Sequence, residues 1–129
     1  MYRTVLLSLL LAAPAAVAAQ GSSGAAQVEI DLSNFKFTPS AVALQAGKPY
    51  VLHLVNKASG GHDFRAKTFF AAARVAPDDA AKIRNGEVEL DGGESADIHL
   101  IAPAAGSYPL DCSHFLHATF GMKGSIDVR

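Results

Sequence analysis

The sequence has a single cysteine, Cys112, and beyond the initiator a single methionine, Met122. One thiol excludes a disulfide within the chain and any metal cluster held by two or more thiolates of the same chain. Neither sign of charge is in excess. The formal net charge is −1, so there is no basic footprint and nucleic acid is not an expected partner. The apolar run Val5 to Ala13 is shorter than the ~20 residues a membrane-spanning helix needs. No cysteine directly follows that run, which excludes lipid anchoring through a lipobox. Internal repeats are absent. What remains is 129 residues, 50% of them hydrophobic, enough for one domain with a real core.

Met1 to Ala19 reads as a secretory signal peptide, with Arg3 as the positive segment, an apolar run, and Ala16-Val17-Ala18-Ala19 as an A-x-A-like cleavage region. Residues 20–27 are rich in Gly, Ser and Ala and are expected to form a flexible N-terminal segment. Export of this kind points to a bacterial periplasm. A lone exposed thiol in an exported protein would invite oxidation, and metal ligation is the explanation that fits Cys112.

From Val28 the chain alternates with period two. Val28, Ile30 and Leu32 share one face, and Glu29 and Asp31 the other, as in a half-buried strand. Phe35 to Thr38 is expected to continue that strand, with Pro39 stopping it or lying at an edge. Val42 and Leu44 mark a second short strand, Ala46 to Pro49 a turn, and Tyr50, Leu52 and Leu54 a third strand running to Asn56. Thr68 to Arg74 reads as a short helix with Thr68 as N-cap. Pro77 to Arg84 reads as another, with Pro in its first turn and Asn85-Gly86 as its stop. Glu87 to Leu90 and Ala96 to Ile101 alternate around Asp91-Gly92-Gly93, which predicts a hairpin. Gly106 to Cys112 and Ser125 to Arg129 supply the last strands. Short strands with regular turns and no long helix predict an all-β, antiparallel sandwich of Greek-key type.

The chemistry gathers in Cys112-Ser113-His114-Phe115-Leu116-His117-Ala118-Thr119-Phe120-Gly121-Met122, where thiol, imidazole and thioether follow one another as C-x4-H-x4-M. Two imidazoles, a thiolate and a long axial Met make a blue-copper electron-transfer site. The loop offers one of each, and His62 in Gly60-Gly61-His62-Asp63-Phe64 is the candidate for the second imidazole. Taken alone, Cys112 also reads as a buried structural cysteine or, less readily, a nucleophile, and Met122 as a core residue. With Lys123-Gly124 and a terminal strand behind the loop, and Asn56 ahead of His62, the chain from about Val28 onward resembles the cupredoxins, the blue copper proteins of plastocyanin and azurin type. That resemblance implies a cupredoxin-like Greek-key β-sandwich over 28–129 with a short helical insertion. It also implies one type 1 copper ion held by His62, Cys112, His117 and Met122.

In some members of that family the carbonyl before the first His approaches the metal, here that of Gly61. Asp63 departs from the Asn common at its position, yet it can still accept hydrogen bonds from Ser113 and join the two ligand loops. His114 stays open between a loop residue with no metal role and a fourth donor, delivery site or proton-linked gate. His53 and His99 alternate with core residues and are expected to face solvent. Three functions follow. The first is an exported one-electron carrier, monomeric, non-enzymatic and with no membrane span, that meets a redox partner protein transiently. The second is a periplasmic chaperone or buffer delivering Cu(I). The third, a copper enzyme, would need a further domain or subunit and more His ligands. An apolar surface formed by Phe115, Leu116, Ala118 and Phe120 around His117 is the expected electron port, with Phe115 and Phe120 equally able to fold inward.

Overall fold

A computed structural model describes residues 24–129. The expected signal peptide, Met1 to Ala19, lies outside the described residues. Two five-stranded sheets face each other across one core. The first runs in the order β2 (Lys36–Thr38), β1 (Ala26–Ser33), β4 (Pro49–Asn56), β8 (Ser95–Ile101) and β6 (Arg74–Val75). The second runs β3 (Ala41–Leu44), β10 (Lys123–Val128), β9 (Gly106–Asp111), β5 (His62–Arg65) and β7 (Glu87–Leu90). Ala26 and Gln27 already belong to β1, so the strand takes up the end of the segment expected to be flexible.

The period-two alternation does what it should. Ile30, Leu32, Leu52, Leu54, Ile98 and Leu100 point inward from the first sheet, and Val42, Leu44, Phe64, Val88, Leu90, Leu110, Ile126 and Val128 meet them from the second. Burying each large side chain of this kind stabilises by about 1.5–3 kcal/mol relative to exposure. Phe64 packs edge-on against Phe37 and Phe70.

Three expectations about the strands are corrected. Phe35 adopts a left-handed conformation (φ 58°), so Lys36–Thr38 does not extend β1 but folds back as its antiparallel edge partner. The sheets are mixed rather than antiparallel, because β1 pairs with β4 and β3 with β10 in parallel. The chain leaves the first sheet as β3 and returns as β4 beside β1 from the same end, which dictates the direction. Glu87–Leu90 and Ser95–Ile101 are not a hairpin. Strand β7 pairs with β5 and β8 with β4, so the intervening turn carries the chain from one sheet to the other. Their inward residues face each other across the core, and local alternation cannot distinguish that from pairing.

The helix α1 (Lys67–Ala72) starts before Thr68, and Ala66 occupies the N-cap with no side-chain capping bond. Burial of Ala66, Phe69 and Phe70 fixes it instead. Its C-terminal neighbour Arg74–Val75 is strand, and Pro77–Lys82 forms a 3₁₀ helix rather than a longer α-helix. Asn85 and Gly86 (φ 52° and 77°) turn the chain back. Glycine is required at 86, since an added Cβ would lie 2.7 Å from the Cα of Lys67.

Asp79 sits in the 3₁₀ helix, buried, and accepts bonds from the His99 N–H, the His99 imidazole and the Lys82 ammonium. Burial pushes its carboxyl up, but the Lys82 and His99 bonds outweigh this and hold it at about 2 against an ordinary 3.8. A depressed carboxyl contributes stability that is complete above its unfolded value and is lost as pH falls through its folded value. Asp79→Asn is therefore expected to destabilise the protein at pH 7 by about 2 kcal/mol relative to wild type. In urea unfolding at a series of pH values that gap should shrink to a few tenths of a kcal/mol by about pH 2. A gap unchanged between pH 5 and pH 2 would contradict the assignment.

Candidate metal centre

Strands β5 and β9 share a single paired position, Arg65 with Asp111. Side chains therefore carry the register between the strand that bears His62 and the strand that leads to Cys112. Arg65 forks onto Asp111 with Nε–Oδ1 and Nη2–Oδ2 distances of 2.6 and 2.7 Å, and that bond raises the already high guanidinium pKa further. Asp63, fully buried, accepts the Ser113 N–H at 2.8 Å and the Ser113 hydroxyl, while its own N–H points at Cys112 Sγ from 3.5 Å. The expected Asp63–Ser113 bridge is thus present.

Asn56 ends β4 and is also buried. Its Nδ2 donates to the carbonyls of Gly60, Leu90 and Asp91, and its Oδ1 accepts from the Ala58 N–H. One side chain thereby fixes both the loop that delivers His62 and the turn that carries β7 into β8.

The segment from Cys112 to Met122 closes on itself. The Cys112 N–H donates to the Met122 carbonyl and the Met122 N–H to the His117 carbonyl, while His117 bonds back to His114 and Phe120 to Leu116. Leu116 and Gly121 take positive φ (63° and 104°) to permit the winding. Closure brings Cys112, His117 and Met122 to the same end of the sandwich, where β5 begins with His62. Cys112, His62 and Met122 are buried and His117 is partly exposed.

Three of the four expected ligands converge through the atoms that bind metals. His62 Nδ1 lies 3.1 Å from His117 Nδ1 and 4.0 Å from Cys112 Sγ, and Sγ lies 3.4 Å from His117 Nδ1. A triangle with these edges has a point about 2.1 Å from all three atoms, close to the roughly 2.0–2.3 Å of imidazole and thiolate bonds to zinc. The donor set fits one ion. Met122 lies fully buried beside these residues, linked by its backbone to two of them.

The electrostatics suit ligation too. Burial, with the neighbouring His117 and His114, lowers the pKa of His62, and a neutral imidazole is the form that binds metal. Ligation through Nδ1 leaves the single ring proton on the buried Nε2, which has no hydrogen-bond partner among the described residues. Burial pushes the Cys112 thiol up, and the N–H groups of Asp63 and His114 pull the other way. A bound cation would displace that proton.

His114 lies outside the triangle. Its ring stacks on His117, with centroids 5.3 Å apart, and its Nε2 meets Glu89 Oε1 at 2.8 Å. His53 on β4 pairs with Asp97 on β8, and His99 on β8 pairs with Asp79 of the 3₁₀ helix, so neither joins the triangle. Two neighbours were not legible beforehand. Glu89 lies opposite Asp63 only because β7 pairs with β5, and Phe35 reaches His117 edge-on at 5.1 Å only because the chain folds back after β1. The apolar residues of the loop turn outward: Phe115 is 87% exposed, Phe120 63% and Leu116 44%.

Comparison with known proteins agrees with this fold. No curated protein sequence matches the chain. Auracyanin from Roseiflexus castenholzii, in its dithionite-reduced state, is similar in structure with a TM-score of 0.61 at 23% identity, over 82% of this chain and 99% of that one. Auracyanin A, a "blue" copper protein from Chloroflexus aurantiacus, gives 0.58 at 19% identity, over 82% and 100%. The McoA multicopper oxidase of Aquifex aeolicus gives 0.64 at 16% identity, over 83% of this chain but 30% of that one. Residues 3–128 match the family of cupredoxin-like domains, and this chain belongs to it.

Proposed function

We propose that this protein is an exported, single-domain type 1 copper protein that carries single electrons between partner proteins. The observation that carries this reading is the triangle of His62 Nδ1, His117 Nδ1 and Cys112 Sγ, each edge between 3.1 and 4.0 Å, in a fold shared with blue copper proteins. His62, Cys112 and His117 would hold the ion, with Met122 as the axial donor. Copper so held supplies one-electron chemistry between Cu(II) and Cu(I).

The chain's own part is to hold these donors still. His62 is fixed by β5 and Asn56, Cys112 by β9 and the Asp63 N–H, and His117 by its bonded turn. Donors that need not move make the two oxidation states similar in structure and keep the cost of exchange low. His117 is partly exposed among Phe35, Phe115, Leu116 and Phe120, an apolar surface suited to weak docking of a redox partner by a monomer. The multicopper oxidases similar in fold are about three times longer than the matched part, and the reading here is of a carrier rather than an enzyme. A chaperone or buffer for Cu(I) is the second reading, favoured by the partly exposed His114 beside the site. Such a protein would stay colourless when loaded and surrender its copper readily.

Cys112→Ser is expected to abolish an intense visible thiolate-to-copper absorption band in the Cu(II)-loaded protein, with the circular dichroism of the sandwich unchanged. A band surviving that change would remove Cys112 from the site. Met122→Leu should retain copper and raise the reduction potential, since losing a soft axial donor against an apolar wall disfavours Cu(II). Voltammetry showing an equal or lower potential would count against Met122. Phe115→Glu should leave the spectrum nearly unaltered but slow electron self-exchange by about tenfold through like-charge repulsion at the docking surface. Exchange at the wild-type rate with full copper loading would place the port elsewhere.

A further inference from the structure

Beside the three converging donors lies a second group. His114 Nε2 is 2.8 Å from Glu89 Oε1 and 4.0 Å from Asp63 Oδ2, and one ligating atom from each of the three residues falls within 4.8 Å of the others. The sheet register creates this group. Asp63 on β5 and Glu89 on β7 are directly paired across the strands, and like charges in that position repel. A cation held between them would relieve the repulsion. Arg65 is committed to Asp111, which leaves the His114 imidazole or a bound ion.

The floor of the group is bare backbone. A Cβ at Gly61 would lie 3.1 Å from His114 Cε1 and 3.3 Å from Glu89 Oε1, so glycine there lets the imidazole and the carboxylate settle against the chain. The group opens outward, with the Glu89 side chain 52% and that of His114 32% exposed, while Asp63 is buried behind them. The His114 ring stacks on His117 and lies 6.2 Å, centroid to centroid, from His62. A path from solvent to the inner donors across His114 therefore avoids the core.

We propose that His114, Glu89 and Asp63 form an outer site for a divalent first-row cation, Cu(II) foremost, from which the inner donors are loaded. One imidazole and two carboxylates make a nitrogen–oxygen set that binds Cu(II) and Zn(II). The inner set adds a thiolate and binds more tightly, so the ion moves inward. On that transfer the Cys112 thiol proton passes to solvent, the ion forms its bonds to Sγ and the inner imidazoles, and its bonds to Glu89, His114 and Asp63 break; no electron is transferred. The loading role rests on the proposed function, whereas the outer site does not.

The test uses the full metal-free chain and the pair of changes Glu89→Gln with His114→Ala, neither of which alters the core. In calorimetric titration with Zn(II), wild type should bind two equivalents and the double variant one. When Cu(II) is mixed rapidly with the protein, the visible band should reach the same final height in both but grow about tenfold more slowly in the variant, since a charged mouth concentrates its cation. A single Zn(II) equivalent in wild type, or two in the variant, overturns the outer site. Two equivalents falling to one with no change in the rate of band growth overturns the loading role. No visible band in either protein, with the second Zn(II) equivalent still lost in the variant, refutes the copper-carrier reading and leaves the outer site standing.

Discussion

The site depends on one weak seam. Strands β5 and β9 carry its two sides but share a single rung, so a backbone ladder cannot align His62 with Cys112. The buried carboxylate of Asp63 does that work by accepting both donors of Ser113, and the Arg65–Asp111 fork reinforces it beside the shared rung. Charge-assisted bonds of this kind are roughly twice as strong as neutral ones and define direction as well as distance. Asp63 also directs its N–H at the sulfur, so the residue that sets the geometry also sets the field around the thiol.

Rigidity at the seam has support from the core. Phe64, two residues after His62 on β5, is fully buried and packs on Phe37 and Phe70 from two other elements. Asn56 closes the opposite side by donating to the carbonyls of Gly60, Leu90 and Asp91. An unsatisfied buried polar group costs about 1–3 kcal/mol, so the loop before His62 has strong reason to keep this one arrangement. The three donors are thus held together by groups outside the inner donor set, and convergence belongs to the fold itself.

What was legible in the sequence was local. The C-x4-H-x4-M spacing fits a loop that closes through hydrogen bonds between its own residues, so short-range sequence suffices for Cys112, His117 and Met122. Alternation found most of the strands and their buried faces, because burial on one face is a property of each strand alone. Partners were not legible. Val88 and Leu90 alternate as Ile98 and Leu100 do, whether the two strands pair or confront each other across the core, and the hairpin expectation failed for that reason. The same gap concealed Glu89, whose place opposite Asp63 follows from the pairing of β7 with β5. Thr68 had the right chemistry for a cap, but burial of Ala66 and the two phenylalanines set the start of the helix.

Outward exposure at the loop follows from its closure. A turn of this length that directs Cys112 and His117 to one point and buries Met122 has no room to bury Phe115, Leu116 and Phe120 as well, and the positive φ at Leu116 helps to swing them out. Exposed aromatics are costly in water, and a sequence selected for solubility alone would place polar residues there. Phe35 adds to the same surface from a different turn, edge-on to both His117 and Phe120. Two separate chain segments therefore converge on one apolar rim around the partly exposed imidazole. Burying the other donors beneath that rim leaves His117 as the shortest route between the inner site and anything that docks.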